Sequence, residues 1–214
     1  GKGITISIVK KSILLLMNSL TFLSRPINSF MEILKNNYTN HMSILSHFQD
    51  ITLTHDQKEA VEKLQVFLES GDDVFILNGY AGSGKTTLVK GITGYLRYSL
   101  KQFLLMAPTG RAAKILEKKT KRDTSTIHKA IYNFEKLEEI KEEGKEDSES
   151  FIYYFKLRNN VDYHNSIFIV DEASMISDRL SQGEFFRFGT GYLLKDLLTY
   201  SNAGNKNAKS KVIF

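Results

Sequence analysis

The chain has 214 residues, 42% hydrophobic and 25% charged, which is enough apolar material for one full α/β domain and an appendage. It contains no cysteine, excluding a disulfide framework, Cys-ligated zinc and thiol catalysis, and making a cytoplasmic location the expectation. The net charge of +5 fits a polyanionic partner such as DNA, RNA or a nucleotide, and the five histidines (41, 47, 55, 128 and 164) show no paired metal-site spacing.

Residues 1–50 carry no motif and form an unassigned N-terminal segment. "GITISIV" alternates weakly, as a strand does, whereas "SFMEILKNN" and "MSILSHF" read as short amphipathic helices. The most apolar stretch, "SILLLMNSLTFLS" at 12–24, is interrupted by Asn18, Ser19 and Thr21. It falls short of the roughly 20 apolar residues that a membrane span requires, so a buried or surface-docked helix is expected and a membrane partner is not. Met42 is a candidate natural start for the domain that follows.

From Thr54 the pattern becomes regular. "THDQKEAVEKLQVFLES" puts Ala60, Val61, Leu64, Phe67 and Leu68 on one helical face. "DVFILNG" (73–79) is a continuous apolar run, read as a strand buried on both faces of a parallel sheet. A glycine-rich loop follows, then a helix over "KTTLVKGITGYLRYSL". "FLLMA" (103–107) is a second strand, stopped by Pro108, and both "GRAAKILEKK" and "TSTIHKAIYNF" look helical. "KLEEIKEEGKEDSES" (136–150) is almost wholly charged and reads as a solvated helix end and flexible loop, part of a small insertion over about 134–165. "FIYYFKLRNN" alternates and is expected to be one strand of a hairpin. "SIFIVDEAS" (166–174) gives a third strand, "SNAGNKNAKS" a polar loop and "KVIF" a fourth strand. Strands alternating with helices predict an α/β fold, a doubly wound parallel sheet with flanking helices.

The chemistry is concentrated in two of these segments. Gly79-Tyr80-Ala81-Gly82-Ser83-Gly84-Lys85-Thr86 fits G-x-x-x-x-G-K-[ST] at every fixed position, between a predicted strand and a predicted helix. Glycines let backbone N–H groups turn inward as an anion nest, and the helix start adds its partial positive charge. Lys85 can reach the β- and γ-phosphates, and the Thr86 hydroxyl can ligate Mg²⁺. In "IFIVDEAS", Asp171 ends a buried strand and would meet Mg²⁺ through water, while Glu172 can orient or deprotonate an attacking water. The plainer reading of "DEAS" is a helix cap. A Glu directly after the Asp favours hydrolysis over transfer to a small acceptor.

Three further segments admit two readings each. Thr54 and Gln57 have the spacing of a capping box, which the spacing alone favours, yet Gln57 could also contact an adenine edge. Thr109 and Arg111, at the start of the helix after the second strand, could hold a phosphodiester or be ordinary surface residues. His128 in "STIHKAIY" would, alone, more often be packed or capping than a ligand.

Taken together, "LTHDQKEAV", "GYAGSGKTT", "APTGRAAKIL", "TIHKAIY" and "IFIVDEASMI" resemble the ordered motifs of superfamily 1 DNA helicases, specifically the RecD-like branch related to exodeoxyribonuclease V alpha subunits. The resemblance runs from about residue 53 to 214 and implies a RecA-like P-loop NTPase motor domain over 51–214. It also implies that Gln57 reads adenine, that Gly82, Gly84, Lys85, Thr86 and Thr87 hold ATP–Mg²⁺, and that Asp171 and Glu172 are the metal and hydrolysis carboxylates. By the same resemblance Thr109, Arg111 and His128 line a single-stranded DNA path. Family members continue beyond a strand like "KVIF" into a Gly-Asp-x-x-Gln segment and a second motor domain carrying an arginine finger. An N-terminal fragment is therefore expected, one that binds ATP–Mg²⁺, hydrolyses it slowly and does not unwind DNA alone. Two rivals are a P-loop small-molecule kinase, which would need an arginine-rich lid, and a non-motor module that holds nucleotide or DNA as a scaffold.

Overall fold

A computed structural model describes residues 43–80, 82–141, 151–163, 165–181, 183, 185–205 and 207–214. The strand, helix and start-site readings made within residues 1–42, the loop residue Ala81 and the charged stretch 142–150 lie outside the described residues.

The chain enters through a 3-10 turn, Ile44–Phe48, and helix α1, His55–Glu69, then strand β1, Val74–Phe75. Helix α2, Lys85–Tyr98, leads to strand β2, Phe103–Ala107, and helix α3, Gly110–Thr120, to strand β3, Thr124–Thr126. A short helix α4, Ile127–Ile131, precedes strands β4, Tyr132–Lys141, and β5, Phe151–Leu157. Strand β6, Ile167–Val170, a 3-10 turn at Ala173–Met175, strand β7, Phe186–Phe188, helix α5, Leu193–Ser201, and strand β8, Lys211–Ile213, complete the order.

Five strands make one parallel sheet in the order β1-β8-β6-β2-β3. Side chains on a strand alternate faces, so the sheet has two cores. On one face Leu105, Ile167, Ile169 and Ile213 pack under α1, α2 and the first 3-10 turn. On the other, Met106, Phe168, Val170 and Val212 meet α4 and α5 through Ile127, Ile131, Leu197 and Tyr200. Helix α1 buries Val61, Leu64, Phe67 and Leu68, the face expected from its spacing. Helix α2 runs against the first turn at Gly91, where Phe48 lies flush against the bare backbone.

Three readings are corrected. The run "DVFILNG" is not buried on both faces: β1 is an edge strand, Val74 in it and Ile76 just beyond it are 42% and 72% exposed on one uncovered face, and the pairing with β8 continues as Leu77 N–H donates to the Phe214 carbonyl. "TSTIHKAIYNF" is helical only at Ile127–Ile131: Thr124–Thr126 pairs with β2 as a fifth strand, and the chain extends again from Tyr132. "KLEEIK" is not a solvated helix end but the outer part of β4, antiparallel to β5. The hairpin expected at "FIYYFKL" is present, and β7 extends it to a second, three-stranded sheet in the order β4-β5-β7.

A buried carboxylate ties this small sheet to the domain. Asp196, 1% exposed in the first turn of α5, accepts hydrogen bonds from Tyr132 Oη (2.8 Å), Thr190 N–H (2.9 Å) and Thr190 Oγ1 (2.8 Å). Residue Tyr192 at the helix N-cap provides no side-chain cap, so Asp196 reaches back to order the chain before its own helix. Burial and the bond to Asp196 hold the Tyr132 phenol far above its ordinary pKa, so it remains a donor.

Candidate nucleotide site

The strands of a parallel sheet deliver loops to its carboxyl edge, and the candidate residues collect there. After β1 the chain turns through Gly79–Gly84 into α2. Gly82 and Gly84 adopt φ of +81° and +87°, the left-handed region that costs a side-chain-bearing residue about 1–2 kcal/mol. Gly84 is also the N-cap of α2, and a Cβ there would stand 2.5 Å from Gln57 Nε2. These two glycines turn the loop so that it ends on the N-terminus of a 14-residue helix, a setting that favours phosphate.

The Lys85 ammonium donates to the Gly79 carbonyl and to the Tyr80 carbonyl (3.1 Å), folding its side chain back over the loop. Thr86 and Thr87 follow it in the first turn of α2, half-buried. Ser83 N–H closes the loop onto the Tyr80 carbonyl at 3.1 Å.

Gln57 braces the loop from the side. The capping box is complete: Thr54 Oγ1 accepts from Gln57 N–H (3.3 Å) and Gln57 Oε1 accepts from Thr54 N–H (3.0 Å). The same amide donates through Nε2 to the Ser83 carbonyl at 2.8 Å, so the start of α1 is tied to the loop.

Across the site, β6 presents four fully buried residues and then Asp171, whose N–H continues the ladder to the Met106 carbonyl (3.0 Å). Asp171 Oδ1 accepts from Glu172 N–H at 3.1 Å. Burial raises the Asp171 carboxyl above the usual range, with that hydrogen bond and the Lys85 charge among the influences pulling it back. Glu172 is exposed and held at φ +55°, ψ +38°, left-handed backbone that turns the chain into the 3-10 turn at Ala173–Met175. It makes no side-chain cap, so the plainer reading of "DEAS" as a capped helix start is not realised.

Gly79, Lys85, Asp171 and Glu172 line one cavity of about 560 Å³. Its floor is apolar, with Ile76, Ile176, Leu194 and Phe214 among its walls. The hard oxygens of Thr86 and Asp171 suit Mg²⁺, which usually takes only one or two protein ligands and completes its shell with phosphate and water. Among the described residues no cluster of three or more His, Cys, Asp or Glu could hold a metal without such help.

Thr109, Arg111 and His128 do not line this cavity but lie along the same edge. Register pairs Ala107 with Thr126, and Thr109 and His128 each stand two residues further on. Thr109 is the N-cap of α3 and its Oγ1 accepts from Ala112 N–H (3.2 Å), while Arg111 is exposed in the first turn. His128 is packed, as the plainer reading had it: its ring lies 5.0 Å from that of Phe188 and 5.6 Å from Tyr132. Burial lowers its pKa, favouring the neutral ring. Sequence reasoning did not find the Asp196–Tyr132–Thr190 cluster that supports this corner, because its members are up to 64 residues apart.

Among the described residues no helix is long and apolar enough to cross a membrane. An uncharacterized protein of Methanocaldococcus jannaschii is 31% identical over 107 residues, a stretch that covers 48% of this chain and 9% of that protein's length. A family model described as "AAA domain" matches residues 52–183, which takes in Gln57, the glycine loop, the β2 edge and the Asp171–Glu172 pair. With that match spanning more than half of the chain and the parallel sheet placing the loop against its acidic strand end, the chain belongs to the AAA-domain family of P-loop NTPases.

Proposed function

We propose that this chain is an ATP-hydrolysing motor domain of a superfamily 1, RecD-like DNA helicase, in which nucleotide turnover is coupled to single-stranded DNA. The observation that carries the reading is the shared cavity of Lys85, Gly79, Asp171 and Glu172, with a second group of candidate residues one strand pair away on the same edge. The bound triphosphate lies on the loop amides and the N-terminus of α2, and Lys85 exchanges its bonds to loop carbonyls for phosphate oxygens. Thr86 directly and Asp171 through water would hold Mg²⁺, which would supply neutralisation of phosphate charge when bound. Glu172, exposed at the cavity wall, orients and deprotonates the attacking water. The second N–H of the Gln57 amide faces the adenine edge. Thr109, Arg111 and the α3 N-terminus hold the DNA backbone.

The reading is tested on residues 1–214 by ATP turnover with and without single-stranded oligonucleotide. The expected result is slow hydrolysis that rises with DNA and drops by about 10²–10³ in both Lys85→Ala and Glu172→Gln, the scale of losing one positioned catalytic group. Nucleotide binding without any turnover would support the scaffold reading instead. Turnover unaffected by either substitution would refute the roles given to the two residues.

A further inference from the structure

We infer that the aromatic face of the β4-β5-β7 sheet is a base-stacking platform for single-stranded nucleic acid. The inference rests on the function proposed above and adds a surface that none of Thr109, Arg111 or the nucleotide loop supplies.

The face is built by register. Tyr153 and Phe155 stand two residues apart on β5, Phe186 and Phe188 two apart on β7, and the ladder pairs Tyr153 with Phe186 and Phe155 with Phe188. Each pair stacks: centroids are 5.8 Å apart at 29° and 4.7 Å apart at 10°. Phe134 from β4 closes the row, 5.0 Å from Phe155 and 6.0 Å from Phe188. The inner end is anchored in the domain core, where Phe155 and Phe188 pack beside Tyr132. Two rings of the row are open to solvent, Phe134 beside the inner pair, 45% exposed, and Phe186 in the outer pair, 49% exposed.

Exposed rings held at fixed spacing on a sheet invite planar partners, and every base has a π-face to offer. Position selects nucleic acid over a protein partner. The row starts at His128, whose ring lies 5.0 Å from that of Phe188, and His128 stands two residues past Thr126 as Thr109 stands two past its register partner Ala107. A strand whose phosphates lie on the α3 N-terminus can therefore run its bases outward along the rings. Charge in and just before β4 is mixed, with Lys129 and Lys136 exposed on either side of Glu135 and Glu139 paired with Tyr153, so the rings and not the charge are the proposed contact. The bases are thus met by rings, while the backbone is left to Arg111 and the α3 N-terminus of the proposed function.

The test measures binding of a fluorescein-labelled oligothymidine to the whole chain by anisotropy at several salt concentrations. The variants are F134A/F186A and F134W/F186W, chosen because both rings are half-exposed and their loss spares the core. The expected result for F134A/F186A is Kd raised at least tenfold, with an unaltered slope of log Kd against log salt and an unaltered melting temperature. F134W/F186W is expected to restore wild-type affinity or better. Wild-type oligonucleotide binding that survives F134A/F186A unchanged overturns the platform and leaves the proposed function standing. A wild type that binds no oligonucleotide overturns both. Concentration-dependent dimers of the wild type that F134A/F186A abolishes, with DNA affinity unchanged, would make the face a self-association surface and overturn the platform.

Discussion

Replacing Asp196 by Ala removes the acceptor that three donors share, and the structure sets the size of the loss. The Tyr132 bond is buried at both ends and charge-assisted, a class worth about 1.5–3 kcal/mol. The Thr190 donors are partly exposed and regain water, so together they add roughly 1 kcal/mol. A carboxylate in the first turn of α5 contributes about 0.5 kcal/mol more through the helix dipole. The sum is about 3–4 kcal/mol, or roughly 10 °C in melting temperature for a domain of this size. Tyr132→Phe removes only the first bond, leaves Asp196 its two Thr190 donors, and is expected to cost about 1.5–3 kcal/mol. Urea titrations followed by circular dichroism, with both variants beside the wild type, measure the two values. An Asp196→Ala protein within 1 kcal/mol of wild type would refute the cluster as the tie between the small sheet and α5.

Two further outcomes follow from packing and titration. Gly91→Ala gains about 1 kcal/mol of helix propensity but drives a methyl into the Phe48 ring in a closed core, so a net loss of about 1–2 kcal/mol is expected in the same urea assay; a more stable variant would show that the first turn can move aside. His128 and His47 both have pKa values lowered by burial, so each binds its proton more readily in the unfolded chain. Their contribution to stability is present above the unfolded value near 6.5 and is lost as pH falls from there through the folded values. Melting temperature measured from pH 7.5 to 5 should therefore decline, and His128→Phe should shallow that decline; an unchanged pH profile would count against the packed neutral ring.

What could be read in the sequence was whatever is local. The buried runs "FLLMA" and "IFIV" are strands because four or five consecutive apolar residues suit a strand covered on both faces, and the candidate residues Thr109 and Asp171 follow within two residues of their ends. "DVFILNG" looks identical in composition, yet its position at the sheet edge leaves Val74 and Ile76 outward, and no local signal distinguishes edge from centre. "TST" is too short and polar to announce β3, which exists because β2 offers it a partner. "KLEEIK" has the composition of a solvated helix and becomes a strand through pairing with the aromatic β5. The Asp196 cluster and the aromatic row are assembled from β4, β5, β7 and α5, and only the fold brings them together.

Gln57 shows how atoms can resolve what residue spacing leaves as a contest. Treated as one residue with one task, it must either cap α1 or attend to the nucleotide. The amide has an acceptor and two donors, and the capping box uses only the acceptor, Oε1, toward Thr54 N–H. One donor holds the Ser83 carbonyl, fixing the side chain beside Gly84, where a Cβ would obstruct it. The glycine is thus required twice, for its left-handed backbone and for the room it leaves Gln57. The cap does not compete with a role at the loop; it immobilises the side chain whose remaining donor can serve there. The T-x-x-Q spacing and the G-x-G-K spacing, 26 residues apart at their point of contact, are two parts of one construction in which the start of α1 sets the shape of the phosphate loop.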